Sequence, residues 1–216
     1  WGTFGSVGVG WVATDEAFME NIKAIDFLKF RGAWGTTGNS NGFSDFLWRP
    51  GLSNASTAVF GENVYTSVQA AYLVDPNLKW EVVNGIDVGF DLRAMDNRLS
   101  LGFTYYNRTT KDILTSTSLP NESRSLFTNL GEISNKGVEV TLGWGQQLTK
   151  DFSFDVSTNF SYNVNNVESI GDDFDFTIFG NSGVNRTISG NSIGHFFGFT
   201  QTGIYQTTAD LAKTPA

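Results

Sequence analysis

The chain has 216 residues and a net charge of −8, from 14 Lys and Arg against 22 Asp and Glu. That balance argues against nucleic-acid binding, which needs clustered Lys and Arg, and the lack of Cys excludes a disulfide framework and a thiolate metal site. With 24 Gly, 4 Pro and 14% aromatics the composition is β-rich rather than disordered; no apolar run approaches the roughly 18 residues of a membrane-crossing helix, which leaves a membrane β-barrel open, since its signal is alternation.

Period-two alternation marks strands along the whole chain. The first strand is expected at about 3–13, with Val7, Val9, Trp11 and Ala13 on one side and Gly8 and Gly10 on the other. Phe18, Met19, Ile22 and Ile25 then follow at helical spacing, and Thr14 could cap a short helix there; a structured turn is the alternative. The second strand, about 27–36, sets Leu28, Phe30 and Trp34 against Lys29, Arg31 and Ala33, and the Gly/Asn/Ser run 35–42 reads as a loop. An irregular stretch extends to Asp75.

Four strands of one design follow, at about 78–93, 98–112, 133–146 and 152–166. Leu99, Leu101, Phe103 and Tyr105 alternate with Ser100, Gly102, Thr104 and Tyr106; Val138, Val140, Leu142 and Trp144 with Glu139, Thr141, Gly143 and Gly145. Short turns at Met95-Asp96-Asn97 and Leu148–Asp151 alternate with long connections, giving expected loops at 37–77, 113–132 and 167–216. That rhythm is the rule of outer-membrane barrels. The stripes turn polar towards the long loops, through Asn107, Thr109 and Lys111 on one strand and Lys136 and Ser134 on another. Trp34, Trp80, Tyr105 and Tyr162 fall near an outer aromatic girdle, Trp144 and Phe152 near an inner one, while Asn84 interrupts one oily stripe. The expected fold is all-β, an antiparallel up-and-down meander of about six strands. Its lipid-facing positions are Leu99, Leu101, Phe103, Val140, Leu142, Phe154 and Val156; its lumen-facing ones are Asp87, Asp91, Arg93, Glu139 and Asp155. Because Trp1 opens inside a pattern and the chain closes on a loop-like tail, it is expected to be an internal piece of a longer one.

Several segments carry a family resemblance: 28–39 (LKFRGAWGTTGN), 75–81 (DPNLKWE), 105–114 (YYNRTTKDIL), 135–139 (NKGVE) and 198–206 (GFTQTGIYQ). In this order and spacing they resemble SusC/RagA-type TonB-dependent outer-membrane transporters. The resemblance covers nearly the whole chain, with Asp75 standing where the family more often has Asn. It implies that residues 1–216 are part of a 22-stranded barrel in the bacterial outer membrane, with the plug domain and the TonB-contacting segment falling outside the chain. It also implies import of oligosaccharides or peptides powered through TonB, and a SusD-like surface lipoprotein as a lid.

No residue is expected to be catalytic and no cofactor is implied. His195 is the only His and reads as a loop residue; Asp172, Asp173 and Asp175 read as a solvated acidic loop with calcium as the sharper alternative. The loop aromatics Phe43, Phe46, Trp48, Tyr65 and Tyr72 could stack on a sugar, bury against the lid or pack the loop on itself. Two rival readings remain open at this level: a soluble extracellular β-sandwich, which would bury the oily stripes on a second sheet, and an outer-membrane barrel enzyme, which would need a nucleophile and base.

Overall fold

The computed structural model describes residues 2–41, 46–119, 121–171, 178–179 and 184–201. Phe43, Asp172, Asp173 and Asp175 lie outside them. Along the chain come β1 (Ser6–Val12), β2 (Ile25–Asn39), β3 (Leu52–Phe60), β4 (Asn63–Ala70), β5 (Leu73–Val74), β6 (Glu81–Ala94) and β7 (Leu99–Lys111). Then follow β8 (Leu114–Ser118), β9 (Ser125–Asn129), β10 (Glu132–Gln147), β11 (Ser153–Ser169), β12 (Ile178–Phe179), β13 (Asn185–Thr187) and β14 (His195–Phe196).

The body is one six-stranded sheet in the order β1-β2-β6-β7-β10-β11. Every neighbouring pair is antiparallel, so the meander has the expected architecture. The remaining strands are insertions at one end. β3 and β4 form a separate hairpin, β5-β9-β8 a small sheet, and β12-β13-β14 another. The opposite end carries the compact connections; those after β1 and β6 are stitched together, Met95 N–H donating to Ala24 O and Asn97 N–H to the Asp26 carboxylate, and Gly145 N–H of β10 donates to Arg98 O. The turn from β6 to β7 is closed by Met95, Asp96 and Asn97, all with φ near +60°. Asp and Asn tolerate that region; Met does so rarely.

Four loop expectations need correction. Residues 35–39 belong to β2 rather than to a loop, because Gly35 and Gly38 leave room for Ser6 and the Phe4 ring while Asn39 pairs with Glu81. Within 37–77, Val59 and Val64 face each other across a turn whose Gly61 has φ +64°, and the hairpin β3–β4 results. Within 113–132, β8 and β9 pair from Leu114–Asn129 to Ser118–Ser125. After residue 166, β11 continues to Ser169. The helical spacing near Thr14 yields two 3-10 turns, Ala13–Asp15 and Ala17–Met19, the turn-like alternative. Thr14 caps neither; its hydroxyl accepts from Leu28 N–H.

The sheet is a single layer. Among the described residues the buried apolar side chains are Ala13, Leu47, Ala94 and Val167, while Val9 is 73% exposed and Val156 63%. Contacts within the layer are nonetheless tight where glycine permits them. A Cβ on Gly137 would lie 2.5 Å from the Tyr106 hydroxyl and 2.6 Å from Tyr162 O, so the Tyr106 ring occupies the place of the missing side chain. Its hydroxyl donates to Asn163 Oδ1 at 3.1 Å. Gly137→Val in the full-length protein is expected to cost about 1–3 kcal/mol by overpacking. Gly51→Ala, at a site with nothing within 4 Å, should change stability by under ~0.5 kcal/mol. Urea midpoints of the folded protein in detergent check both.

Candidate functional site

The antiparallel register turns the sequence stripes into rows that cross the whole sheet. One row runs Trp11, Phe30, Phe90, Phe103, Val140, Phe160. On its long-loop side lies Val9, Gly32, Val88, Tyr105, Val138, Tyr162, then Val7, Trp34, Ile86, Asn107, Lys136, Val164. The next is polar throughout: Thr36, Asn84, Thr109, Ser134, Asn166. Asn84, which looked like a flaw in an oily stripe, therefore sits in an entirely polar row. On the compact side the apolar rows continue with Leu28, Leu92, Leu101, Leu142, Thr158, then Ala94, Leu99, Trp144, Val156. Phe154 follows, opposite Gln146. Leu99, Leu101, Phe103, Val140, Leu142, Phe154 and Val156 thus share one face. Rings join along it: Trp11–Phe30 at 5.7 Å, Phe30–Phe90 at 6.2 Å and Phe90–Phe103 at 5.7 Å between centroids.

The opposite face is polar. Asp87, Asp91, Arg93, Glu139 and Asp155 all project from it. Arg31 Nε donates to Asp91 Oδ2 at 3.2 Å, and Arg31 Nη2 to the Thr104 hydroxyl at 2.6 Å, joining β2, β6 and β7. Arg108 Nη2 donates to Asp87 Oδ1 at 2.8 Å, and its guanidinium lies 5.1 Å from the Tyr106 ring centre. These pairs are partly exposed, so each contributes at most about 1 kcal/mol. Arg93 stacks at 4.7 Å on its register partner Phe27, which alternation with Lys29 and Arg31 places on this face. Glu139 is exposed, and Asp155 lies over Gly145. Sequence reasoning picked the acids but not their partners Arg31 and Arg108. Strand parity puts these cations on the right face, yet only the register says which acid each one meets.

Among the described residues the loop aromatics Phe46, Trp48, Tyr65 and Tyr72 do not gather into one cluster. Phe46 and Trp48 are 67% and 66% exposed in the turn that closes with Arg49 N–H to Phe46 O. Tyr65 meets Phe60 edge-on within the hairpin at 5.9 Å; Tyr72 meets Phe127 at 5.1 Å. For Tyr65 and Tyr72 the surroundings match loop self-packing. His195 lies in β14, paired with Arg186 of β13. Among the described residues no group of three or more His, Cys, Asp or Glu could hold a metal ion.

The rim above the polar row was missed by sequence reasoning. Asn129 accepts from Lys79 N–H and donates to the Lys79 and Asp112 carbonyls. Lys79 Nζ also pairs with Asp112 at 2.9 Å. Glu81 takes Asn39 Nδ2 on one oxygen and Leu114 N–H on the other. Trp80 stacks on Phe4 at 6.0 Å. Asp75 accepts from Asn77 N–H at 2.8 Å and from the Thr128 hydroxyl at 2.7 Å. The sequence signals here were the 75–81 and 105–114 segments and the girdle position Trp80, none of which gave the contacts that join them.

The family described as "TonB dependent receptor-like, beta-barrel" matches residues 1–208. The chain belongs to this TonB-dependent receptor β-barrel family, whose place is the bacterial outer membrane. It is 30% identical over 214 residues to the TonB-dependent receptor SusC of Bacteroides thetaiotaomicron, covering 95% of this chain and 21% of that protein. It is 32% identical over 211 residues to the TonB-dependent receptor P3 of Formosa agariphila, covering 94% of this chain and 21% of that protein. The RagAB peptide importer in its open-open state shares the fold with a TM-score of 0.75 at 24% identity, covering 87% of this chain and 20% of that one. The chain thus spans about a fifth of the length of the relatives it matches, all of them named as receptors or importers rather than enzymes.

The rim gives a pH prediction. The Asn77 amide, and after it the Thr128 hydroxyl, hold the Asp75 carboxyl below its ordinary value of 3.8. A depressed acid adds stability that is fully present above the unfolded value and is lost as pH falls through the folded one. Hydrogen-exchange protection of the Asn77 amide, corrected for intrinsic rate, should therefore hold from pH 7 to about 5 and fall below pH 3.8. Thr128→Val should move that fall to higher pH.

Proposed function

We propose that this chain is a wall segment of a TonB-dependent outer-membrane importer, with the apolar face towards lipid and the polar face towards the lumen. The observation that carries this reading is the stack of mainly apolar rows, three of them crossing all six strands, which gives way through a mixed row with Asn107 and Lys136 to a wholly polar row on the long-loop side. From Phe154 to Val164 these rows span about 25 Å of height at the usual rise and tilt, the thickness of a barrel's apolar band. A sandwich would need a second sheet over the same rows. The strands beyond β3–β4 that could supply one belong to small sheets at the rim.

The cargo is an oligosaccharide or a peptide, and a SusD-like lipoprotein closes the long-loop end as a lid. The peptide importer RagAB among the fold neighbours supports the peptide half of this range, and the likeness to SusC supports a TonB-dependent receptor of this type. Exposed Phe46, Trp48 and Tyr65 supply ring faces at that end for lid or cargo contact. Asp87, Asp91, Arg93, Glu139 and Asp155 serve as lumen-lining polar groups and take no catalytic part. Uptake of labelled oligosaccharides and peptides by cells carrying the full-length protein, with and without TonB, tests the transport reading. TonB-independent entry, or no entry of either class, would count against it.

Depth within lipid gives a stability test. The register puts Val140 in the middle row and Thr109 in the polar row. Val140→Arg in the full-length protein should cost about 2–4 kcal/mol, and Thr109→Arg about 0–1. Equilibrium unfolding in lipid vesicles measures both.

A further inference from the structure

We propose that a hollow over Gly32 on the apolar face seats one acyl chain of an outer-membrane lipid, an inference that rests on the lipid-facing reading above. The hollow has a volume of about 430 Å³ and is lined by Val9, Trp11, Phe30, Val88 and Phe90 around Gly32. Two independent observations define it.

The first is that Gly32 is not forced by crowding. A Cβ there would meet Val88 Cγ1 and Val9 Cγ2 at 3.8 Å each, an ordinary contact distance. At Gly137, by contrast, the neighbours leave no room. Glycine weakens a strand interior, and where packing does not demand it, it marks close approach by something else. The second is the lining. The Trp11–Phe30–Phe90 run of rings, whose neighbouring centroids are 5.7 and 6.2 Å apart, forms one side, and two valines the other. The rows of Phe30 and Gly32 carry no Asp, Glu, Lys, Arg or His on this face; Arg31 borders the hollow, but its guanidinium is bonded to Asp91 and Thr104 on the opposite face. Such a hollow discriminates for a flexible hydrocarbon and against any polar or charged ligand.

Its level selects the occupant. Directly outside Gly32 come Trp34 with Val7 and Ile86 beside it, and the next row out carries Thr36 and Asn84. A lipid whose headgroup rests among those polar side chains would bring the upper part of its chain over Gly32. A second copy of the protein could also cover the hollow, and the test separates the two.

The full-length protein is placed in phospholipid vesicles whose acyl chains carry bromine, which quenches tryptophan on contact. The Trp11 signal is obtained by difference from Trp11→Phe and the Trp34 signal by difference from Trp34→Phe. In the unmodified protein both should be quenched. Gly32→Leu, which fills the hollow, should cut Trp11 quenching to about half while leaving Trp34 unchanged, since only the seated chain's contacts are removed. Gly32→Ala should act in the same direction and serves if the larger residue impairs folding. Equal Trp11 quenching in all three proteins would overturn the seat, and so would a shielded Trp11 beside a quenched Trp34, the pattern of a protein-covered hollow. If neither tryptophan is quenched, the lipid-facing reading itself fails.

Discussion

The pairing of Phe90 with Phe103, and of Phe103 with Val140, fixes the register from which the rest of the wall follows. Side chains alternate between faces with period two, so a slip of one residue on any strand would carry its apolar set to the polar side. With this register the apolar positions of six strands line up in rows, and Arg31 and Arg108 land diagonally across from Asp91 and Asp87, within reach of an ion pair. The backbone ladder that holds the register also satisfies the amides and carbonyls within the sheet, a strict requirement in hydrocarbon.

The two faces are packed by different means. The apolar one is continuous and largely open, and its rings touch edge and face across β1, β2, β6 and β7. The polar one is held by short directional contacts: the Arg31 bridge to Asp91 and Thr104, and the Tyr106 ring laid on Gly137 and hydrogen-bonded to Asn163. The ends differ as well. At one end the β1–β2 connection and the β6–β7 turn are hydrogen-bonded to each other, whereas the other carries a hairpin, two small sheets and the rim bonded through Asn129 and Glu81. A wall with a fixed floor and an elaborated top fits the importer wall proposed above.

Much of this was legible in the sequence, because alternation survives in single strands. The faces of Leu99 to Tyr105 and of Val138 to Trp144 followed from parity alone, and the turn at Met95-Asp96-Asn97 from its residue types. Register-dependent features were not legible. Asn84 looked anomalous until Thr36, Thr109 and Ser134 were found level with it, and the partners of Asp87 and Asp91 lay on strands that parity cannot align. Polar β-structure was also hidden: β3 and β4 carry Ser, Asn and Thr where a strong stripe would have shown, and their pairing rests on Gly61 and Val59–Val64. Rim residues such as Asn129 act through backbone groups, which leave no pattern in side-chain chemistry.

The central claim is that parity along β7 separates lipid from lumen. Single cysteines placed in turn from residue 99 to residue 110 of the full-length protein, spin-labelled in vesicles, read this directly through collisions with oxygen, which concentrates in lipid, and with a water-soluble nickel complex. The account predicts high oxygen and low nickel accessibility at 99, 101, 103 and 105, the reverse at 100, 102, 104 and 106, and loss of the oxygen preference at 109. Equal accessibility at both parities, or oxygen preference at the even positions, would contradict it.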